Sequence, residues 1–381
     1  MSTQRLAWPD VAKGLSIIGV VVLHVSLLIP GARDTALSQA NTVIDPLRMP
    51  LFFLVSGLFS SKVLNFSLPE LFRRRLWFFL IPYLVWVPIE VTLTNEMRQL
   101  AGISEPFTLR EYVELIVTGR NMAWFLYALV LFNLALWLTR KLPMWATVVV
   151  ALSPVLGIQW HHEVPIVAKV IMYLPIFMAG TYACHVIKRF ATTALTPTRI
   201  LFALAGYLSA VALVIAWNNF IEANQSIVLP VPVIGGLDHT ALQLLVNQLQ
   251  YSLMLPAGVV LVVALTQVPG ISDTLQFLGR NTLPIYLGHP IALTMLVSFP
   301  RELYDLPVGM EGAGFWMSTH VWIVIGLVAS AAGGLGMWAL GKVPGLRWSL
   351  YPPKLPEPKR TSSERRIIEP YTVGDAGRTH Q

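Results

Sequence analysis

Charged residues and cysteine are both scarce in this sequence. Asp, Glu, Lys and Arg make up 12% of the 381 residues, about half of the share that soluble domains carry. Cys184 is the only cysteine, which excludes an internal disulfide and a cysteine-based metal cluster. Hydrophobic residues make up 55% of the chain, and their long runs lack the alternation of outer-membrane strands. The composition therefore predicts an integral membrane protein built from helices.

Apolar runs of about 20 residues, the length that crosses a bilayer as a helix, predict ten transmembrane helices. The predicted spans are residues 11–30, 46–64, 76–94, 122–139, 142–160, 165–187, 200–220, 244–267, 282–299 and 320–341. Residues 1–345 are therefore predicted to form one all-α membrane domain, and the polar, basic residues 346–381 a disordered tail. The outer loops are too short for a separate catalytic domain, so any chemistry must take place within the helix bundle or at its two mouths.

Lysine and arginine are distributed unequally between the two sides of the predicted bundle. Twenty of the 27 fall in segments on the side of the N-terminus, and cytoplasmic loops of membrane proteins carry such an excess. Both termini are therefore predicted to lie in the cytoplasm. The net charge of +7 is explained by this orientation, so the expected partner is the lipid bilayer and not a nucleic acid.

Two ionisable residues, Lys13 and His24, interrupt the first predicted span, "DVAKGLSIIGVVVLHV". Eleven residues are about three helical turns, so both side chains face the same way, about 16 Å apart along the axis. Asp10 lies three residues before Lys13 on the same face. An ionisable group inside a membrane faces a cavity or a partner by default. The structural alternatives are that Lys13 snorkels to the inner headgroups and that His24 hydrogen-bonds a neighbouring helix.

The spacing of Lys13 and His24 also suits a reaction. A basic group at the cytoplasmic mouth can hold phosphates, and a neutral imidazole deeper in the span can accept a proton from a hydroxyl. Coenzyme A thioesters have phosphates at one end and the thioester at the end of a long arm, which matches this separation. Attack of a hydroxyl on the thioester also requires a group that stabilises the oxyanion. Lys13 is therefore a candidate donor-binding residue and His24 a candidate base.

Six stretches along the chain resemble, in order, the landmarks of the membrane-bound acyltransferase family three. These are "DVAKGLSIIGVVVLH", "PLRMPLFFLVSGLF", "RRRLWFFLIPYLVW", "WFLYALVLF", "LPIFMAGTYAC" and "LGRNTLPIYLGHP". The resemblance covers about residues 8 to 341 and is closest to the fucose-4-O-acetylase-like branch. It implies a ten-helix enzyme of the bacterial inner membrane that moves an acyl group from cytoplasmic acetyl-CoA to a hydroxyl of an envelope glycan or glycolipid, such as a trehalose-mycolate-type lipid.

The family's signature is an arginine, ten residues and then the catalytic histidine. The resemblance therefore identifies His24 as the catalytic histidine and places Lys13 at the arginine position. Lysine keeps a point charge for a phosphate but lacks the bidentate fork of arginine. Arg48, near the outer end of the second predicted span, is a candidate catalytic residue that steadies the oxyanion or holds the acceptor. Its structural alternative is a boundary residue that reaches the outer headgroups.

The remaining candidates are assigned to the two mouths of the bundle. Predicted contacts to the acetyl-CoA donor or its channel are Lys13, Arg73, Arg74, Arg280, Asn281 and His289. Predicted contacts to the acceptor are Asp10, Ser56, Glu90, Trp124 and Tyr127. Each has a structural alternative: membrane orientation explains arginines at the inner surface, packing explains His289 and Ser56, and interfacial anchoring explains Trp124 and Tyr127.

No metal cofactor is predicted. His161 and His162 are adjacent in "WHHEV", and neighbouring positions of a helix point apart, so they are not expected to share an ion. A rival function is a transporter or flippase for envelope lipid or polysaccharide precursors, although no second copy of the first two landmark stretches marks an internal repeat. A catalytically inactive accessory subunit is a third possibility. The sequence leaves open the acceptor, the choice of acetyl or succinyl, direct transfer or an acyl-enzyme, and the oligomeric state.

Overall fold

Helices make up most of the chain, and they follow the order of the apolar runs. The computed structural model describes residues 6–232, 235–310 and 312–356. The first seven helices are α1 (Trp8–Leu28), α2 (Ala36–Leu58), α3 (Leu68–Leu100), α4 (Leu109–Val117), α5 (Trp124–Thr139), α6 (Met144–Leu152) and α7 (Ile166–Tyr182). The next six are α8 (Cys184–Thr192), α9 (Pro197–Ala223), α10 (His239–Leu265), α11 (Ile271–Arg280), α12 (Thr282–Leu303) and α13 (Thr319–Leu340).

A short antiparallel hairpin connects α9 to α10. Its strands are β1 (Val228–Val231) and β2 (Gly235–Asp238), and Val228 pairs with Asp238. Asp238 then caps α10, because its carboxylate accepts a hydrogen bond from the backbone N–H of Ala241 at 2.8 Å. The hairpin therefore delivers a charged residue to the start of a long apolar helix.

The described helices confirm a multi-pass membrane architecture but not the number of ten spans. Six of them are long and apolar enough to cross a bilayer: α1, α3, α9, α10, α12 and α13. The pair α7 and α8, bent by 78°, makes a seventh if it is counted as one broken span. Each of the ten predicted intervals coincides with helix, but α5 has 16 residues and α6 has nine before it continues as the 3-10 segment Ser153–Trp160. Ten spans, and the sides of the termini, stay predictions.

Glycines bring several pairs of the described helices into backbone contact, three of them especially closely. A Cβ atom added at Gly57 of α2 would lie 1.9 Å from the carbonyl oxygen of Phe177 in α7. A Cβ atom at Gly279 of α11 would lie 1.8 Å from the carbonyl oxygen of Asp10 in α1, and one at Gly288 of α12 would lie 2.2 Å from that of Gly333 in α13. Small residues allow such close crossings in membrane bundles. These crossings hold α1, α2 and α12 at the centre of the bundle, where the candidate residues lie.

Successive long helices run in opposite directions along the bundle. Each mouth of the bundle is therefore formed by the beginnings of some helices and the ends of others. The end at which α1 begins is called the Lys13 end here, and the end at which α1 finishes is called the Glu90 end. Residues 347–356, from the segment assigned to the tail, pack at the Lys13 end, where Trp77 donates a hydrogen bond to the carbonyl of Pro353 at 3.0 Å. The rest of that predicted tail, residues 357–381, lies outside the described residues.

Candidate functional site

The two histidines inside the bundle are directly hydrogen-bonded to each other. His24 Nδ1 lies 2.7 Å from His289 Nε2, and the two ring planes are inclined by only 11°. His289 is fully buried, and its Nδ1 lies 2.8 Å from the carbonyl oxygen of Ile285, one turn earlier in α12. The structure therefore joins a residue predicted as the base to one predicted to line the donor channel.

Local sequence explains why α1 and α12 meet at this depth. Gly288 precedes His289 and allows α12 to touch the backbone of α13. Pro290 follows His289 within the helix, and a proline there removes one backbone donor and favours a bend. Tyr286, on the same helix, lies with its ring 5.9 Å from that of His289 and donates a hydrogen bond to the carbonyl of Met122. These contacts hold the imidazole of His289 in place beside α1.

A cavity of about 290 Å³ opens at the Lys13 end. Its polar and charged wall residues are Lys13, Ser56, Ser60, Arg75, Asn133, Thr282 and Tyr351. The Lys13 ammonium also lies 5.5 Å from the centre of the Phe59 ring. Asn133 is buried, and its Oδ1 has no hydrogen-bond partner among the described residues. Burial raises the pKa of the Tyr351 phenol, so this wall residue stays neutral. The cavity therefore combines two cations at its mouth with an unused acceptor inside.

Arg75 is the member of the arginine triplet that lines this cavity, whereas the predicted donor contacts were Arg73 and Arg74. Arg75 donates a hydrogen bond to the carbonyl of Phe59. Arg73 instead donates to the carbonyl oxygens of Pro69 and Pro356, at 3.2 and 3.1 Å. Arg74 lies 4.0 Å from the carboxylate of Glu70. The segment Phe72–Leu76 is a π-turn, which changes the angular position of each side chain relative to an α-helix, and this change was not predictable from spacing alone.

A narrow space of about 10 Å³ continues from the Lys13-end cavity towards the histidines. Phe52, Phe125 and Thr282 line both the cavity and this space. Tyr286 lines the far part, and its ring contacts that of His289. The wall is otherwise apolar, formed by side chains such as Val20 and Met49. Side chains that include the aromatic rings of Phe52, Phe125 and Tyr286 therefore fill most of the region between the Lys13-end cavity and the histidine pair.

A second cavity, of about 400 Å³, opens at the Glu90 end. Glu90 and Trp124, both predicted acceptor contacts, line it together with Lys169 and Arg120. The Glu90 carboxylate is buried; its Oε1 accepts a hydrogen bond from Thr94 at 3.2 Å, while Oε2 has no hydrogen-bond partner among the described residues. The Lys169 ammonium lies 4.9 Å from the centre of the Trp124 ring. Sequence reasoning missed Lys169, although a lysine within "IVAKVIMYLP" is the same signal that identified His24.

Arg48 connects α2 to α1 and lies within electrostatic range of Lys169 at the Glu90 end. Its guanidinium pairs with the Asp45 carboxylate and donates to the carbonyl of Gly19 at 3.3 Å. Asn41 donates to the same carbonyl at 3.2 Å. Arg48 is 8% exposed and lies within electrostatic range of His24. It is therefore a buried cation near the predicted base and not a residue at the lipid boundary.

The remaining candidate residues do not line the cavity that was predicted for them. Some lie outside both cavities, and one lines the other cavity. Asp10 pairs with Arg280 at the Lys13 end, with 3.2 Å between Oδ2 and Nε. Ser56 lines the Lys13-end cavity, so it is not beside Glu90. Asn281 lines a separate apolar groove of about 360 Å³ between α1, α11, α12 and α13. Tyr127 packs behind the Glu90-end cavity, where its ring stacks 5.7 Å from that of Tyr83.

His161 and His162 converge despite being adjacent. They follow the end of a 3-10 segment, and each Nε2 lies 3.1 Å from the hydroxyl of Thr240. Burial opposes ionisation of Asp238, but hydrogen bonds from the Ala241 N–H and the Thr240 hydroxyl hold the pKa of this carboxyl below its usual value. The expectation that the two rings point apart assumed a helix here, and that assumption is wrong. The prediction that no metal is needed stays a prediction.

Tyr286 contacts His289, lines the narrow space beside the Lys13-end cavity and hydrogen-bonds Met122 in the wall of the Glu90-end cavity. This arrangement suits acyl transfer, and comparison with protein families supports that activity. The model of an acyltransferase domain, that of acyltransferase family 3, matches residues 6–339. The chain belongs to acyltransferase family 3. The family resemblance seen in the sequence is thereby confirmed, and the chain is a membrane acyltransferase. Its assignment to the fucose-4-O-acetylase-like branch stays a prediction. Comparisons with curated proteins and with solved structures found no match.

Proposed function

We propose that this family member is an O-acetyltransferase that moves an acetyl group from acetyl-CoA to a hydroxyl of an envelope glycan or glycolipid. The observation that carries the proposal is that Tyr286 connects the His24–His289 pair to the walls of two cavities of different chemistry. The cavity at the Lys13 end has cations at its mouth, and the cavity at the Glu90 end has a carboxylate, an amine and an indole in its wall.

The Lys13-end cavity suits the donor. Lys13 and Arg75 supply positive charge for the phosphates of acetyl-CoA, and charge-assisted hydrogen bonds of this kind are among the stronger ones in proteins. The unpaired Oδ1 of Asn133 can accept a hydrogen bond from an amide N–H group of the pantetheine arm. The narrow space lined by Phe52 and Thr282 lies on the route from this cavity towards the histidine pair, and it must widen for the thioester to reach His24. We assign the donor phosphates to Lys13 and Arg75, and no direct donor contact to Arg73, Arg74 or Arg280.

The Glu90-end cavity suits an acceptor with several hydroxyl groups. The unpaired Oε2 of Glu90 can accept a hydrogen bond from a sugar hydroxyl, and a buried acceptor without a partner is costly. Trp124 offers an apolar face, and Lys169 adds a donor at the same wall. The walls of this cavity reach the histidine pair through Met122 and Tyr286. A membrane-borne glycan is therefore the acceptor class that we propose.

The proposed chemistry uses His24 as general base. Nε2 of His24 removes the proton of the acceptor hydroxyl while the hydroxyl oxygen attacks the thioester carbonyl. The charge that develops on the carbonyl oxygen is stabilised by the buried guanidinium of Arg48. When the carbon–sulfur bond breaks, the coenzyme A thiolate takes the proton from the His24 imidazolium. The products are the acetyl ester and free coenzyme A, and His24 is neutral again.

The donor-side orientation is part of the proposal. The excess of lysine and arginine at the Lys13 end supports a cytoplasmic position of that end in a bacterial cell, where acetyl-CoA is made. The Glu90 end then faces the envelope, where acceptor glycans are assembled. Transfer across the inner membrane follows from these two assignments.

The proposal is tested with purified protein in lipid nanodiscs and the substitution His24→Asn. Transfer of radiolabelled acetyl from acetyl-CoA to an envelope glycolipid extract should fall by at least about two orders of magnitude, while acetyl-CoA binding is retained. Asparagine can still hydrogen-bond His289 but is not a useful base. If His24→Asn transfers acetyl at the wild-type rate, His24 is not the base. If the wild-type protein does not bind acetyl-CoA, the transporter function is favoured. Mass spectrometry of envelope lipids from deletion cells then identifies the molecule that has lost an acetyl group.

A further inference from the structure

The two hydrogen-bonded histidines and the carbonyl of Ile285 form a directional hydrogen-bond chain. The chain runs from the carbonyl of Ile285 to His289 Nδ1, and from His289 Nε2 to His24 Nδ1, with distances of 2.8 and 2.7 Å. Both links are short enough to be hydrogen bonds. Each link must contain one proton, so the positions of the protons can be worked out from the chemistry of the groups.

The carbonyl of Ile285 decides the first proton. A carbonyl oxygen can only accept a hydrogen bond, so Nδ1 of His289 must have the hydrogen. A neutral imidazole has one N–H and one lone pair, which leaves the lone pair of His289 on Nε2. Nδ1 of His24 must then donate to that lone pair. A neutral His24 consequently has its own lone pair on Nε2, the nitrogen that a base needs.

The reversed arrangement would require a charged His289. If His289 donated from both nitrogens, it would be an imidazolium, and His24 would have its proton on Nε2 and could not act as a base there. His289 is fully buried, and no ion pair joins it to a carboxylate among the described residues. A buried charge without a partner is strongly unfavourable, and the cation of Arg48 lies in the same region. The neutral arrangement is therefore favoured.

We propose that His289 is a positioning residue that holds His24 in the tautomer with Nδ1 protonated and Nε2 free to accept the substrate proton. This inference rests on the proposed function, because it assigns a role relative to the base. His289 does not touch the reacting atoms. It acts through His24, as the third residue of a nucleophile–base–orienter arrangement does, but with a neutral ring and a backbone carbonyl in place of a carboxylate.

The proposal also accounts for the state after proton transfer. When His24 has accepted the substrate proton on Nε2, its Nδ1–H still donates to His289, so the imidazolium keeps an acceptor. The neutral His289 ring stays aligned because the Ile285 carbonyl holds its other nitrogen. Replacement of His289 is therefore expected to affect the catalytic step and not the affinity for acetyl-CoA.

The test compares two replacements of His289 in nanodiscs with a matched control. His289→Gln retains an acceptor near the position of Nε2, whereas His289→Leu fills similar space without one. His185→Gln, at an exposed histidine of α8, is the control and should behave as wild type. We expect His289→Leu to lower kcat by about 100-fold with an unchanged KM for acetyl-CoA, and His289→Gln to recover most of that loss. Equal losses in both variants would overturn the positioning role.

Nitrogen-15 NMR of histidine-labelled protein supplies a readout that does not depend on activity. The His24 signals are assigned by their absence in His24→Asn. In the wild type, Nδ1 of His24 should be protonated and Nε2 bare; in His289→Leu the Nε2–H tautomer should gain population. A wild-type His24 protonated on Nε2, or an unchanged tautomer in His289→Leu, would refute the proposal. A confirmed tautomer together with full transfer by His24→Asn would instead refute the base assignment of the proposed function and leave the tautomer assignment standing, whereas a wild type that binds no acetyl-CoA would refute the proposed function itself.

Discussion

Nε of Arg280 lies 3.2 Å from Oδ2 of Asp10, so residues that sequence reasoning assigned to donor and acceptor bind each other. Asp10 is buried while Arg280 is half-exposed, and the pair joins α1 to α11 beside the Gly279 contact. We predict that Asp10→Asn and Arg280→Gln lower stability with a coupling free energy of about 1 kcal/mol and leave acetyl-CoA affinity unchanged. A double-mutant cycle by thermal unfolding measures the coupling. The exposed pair Glu114 and Arg120, at 4.0 Å, should show almost none.

Donor binding should depend on Arg75 and not on its neighbour Arg74. Arg75 lines the Lys13-end cavity, whereas Arg74 lies outside the cavity wall and pairs with Glu70. Arg75→Ala and Lys13→Ala should each raise the Kd for acetyl-CoA by about tenfold, because each removes a charge-assisted contact to phosphate. Lys13→Arg should retain part of the affinity. Isothermal titration of the purified variants provides the values, and a loss in Arg74→Ala equal to that in Arg75→Ala would contradict the donor assignment.

The acceptor should depend on Glu90. Glu90→Gln replaces half of the acceptor capacity of a buried carboxylate with a donor group, so the apparent KM for the glycolipid extract should rise by about tenfold. The Kd for acetyl-CoA should not change, because Glu90 lines only the other cavity. The exposed Glu96 of α3 provides the control substitution Glu96→Gln. A matching rise of the donor Kd in Glu90→Gln would show that the cavities are not separate sites.

The helix crossing at Gly57 should tolerate no side chain. An added Cβ would lie within 1.9 Å of the Phe177 carbonyl oxygen and 3.2 Å of the Gly180 Cα atom, so α2 and α7 must separate. Gly57→Ala should destabilise the protein by about 1–3 kcal/mol or more. Gly336 of α13 has nothing within 4 Å of its added Cβ, so Gly336→Ala should be neutral or slightly stabilising. Thermal unfolding of both variants in the same detergent makes the comparison.

Membrane orientation can be tested with reporter fusions after Gln381. The distribution of 20 of the 27 basic residues predicts a cytoplasmic C-terminus, so a reporter active only in the cytoplasm should work and a periplasmic one should not. The opposite pattern would place Lys13 and Arg75 on the envelope side. Acetyl-CoA could then not reach its proposed cavity.

Much of the helical framework was predictable from the sequence, because each apolar run had the length and composition of a membrane helix. Predicted intervals such as 11–30 and 320–341 coincide with α1 and α13. The count of spans was less predictable. Residues 122–139 and 142–160 become α5 and α6, which are short, and whether a short apolar helix crosses the bilayer depends on its neighbours and not on its own composition.

Some residues of the candidate site could be recognised in the sequence, and others could not. His24 and Lys13 could be recognised in the sequence because an ionisable group in an apolar run is costly wherever the helix is packed. The choice of Arg75 over Arg74 could not, because it depends on a π-turn that changes the direction of side chains. Lys169 had the same sequence signal as His24 but acquired a place beside Glu90 only through the packing of α3, α5 and α7.

The sequence by itself determined the class of protein, the apolar helices and the residues too polar for the bilayer, because hydropathy and charge act locally along the chain. Only the tertiary structure decided which of these residues meet. His24 and His289 are 265 positions apart, and Asp10 and Arg280 are 270 apart, so no local pattern relates them. Their contacts depend on the close crossings of α1 with α11 and of α12 with α13, where glycine backbones touch. The position of the proton on His24 is set by such a contact, since it follows from the carbonyl of Ile285 on another helix.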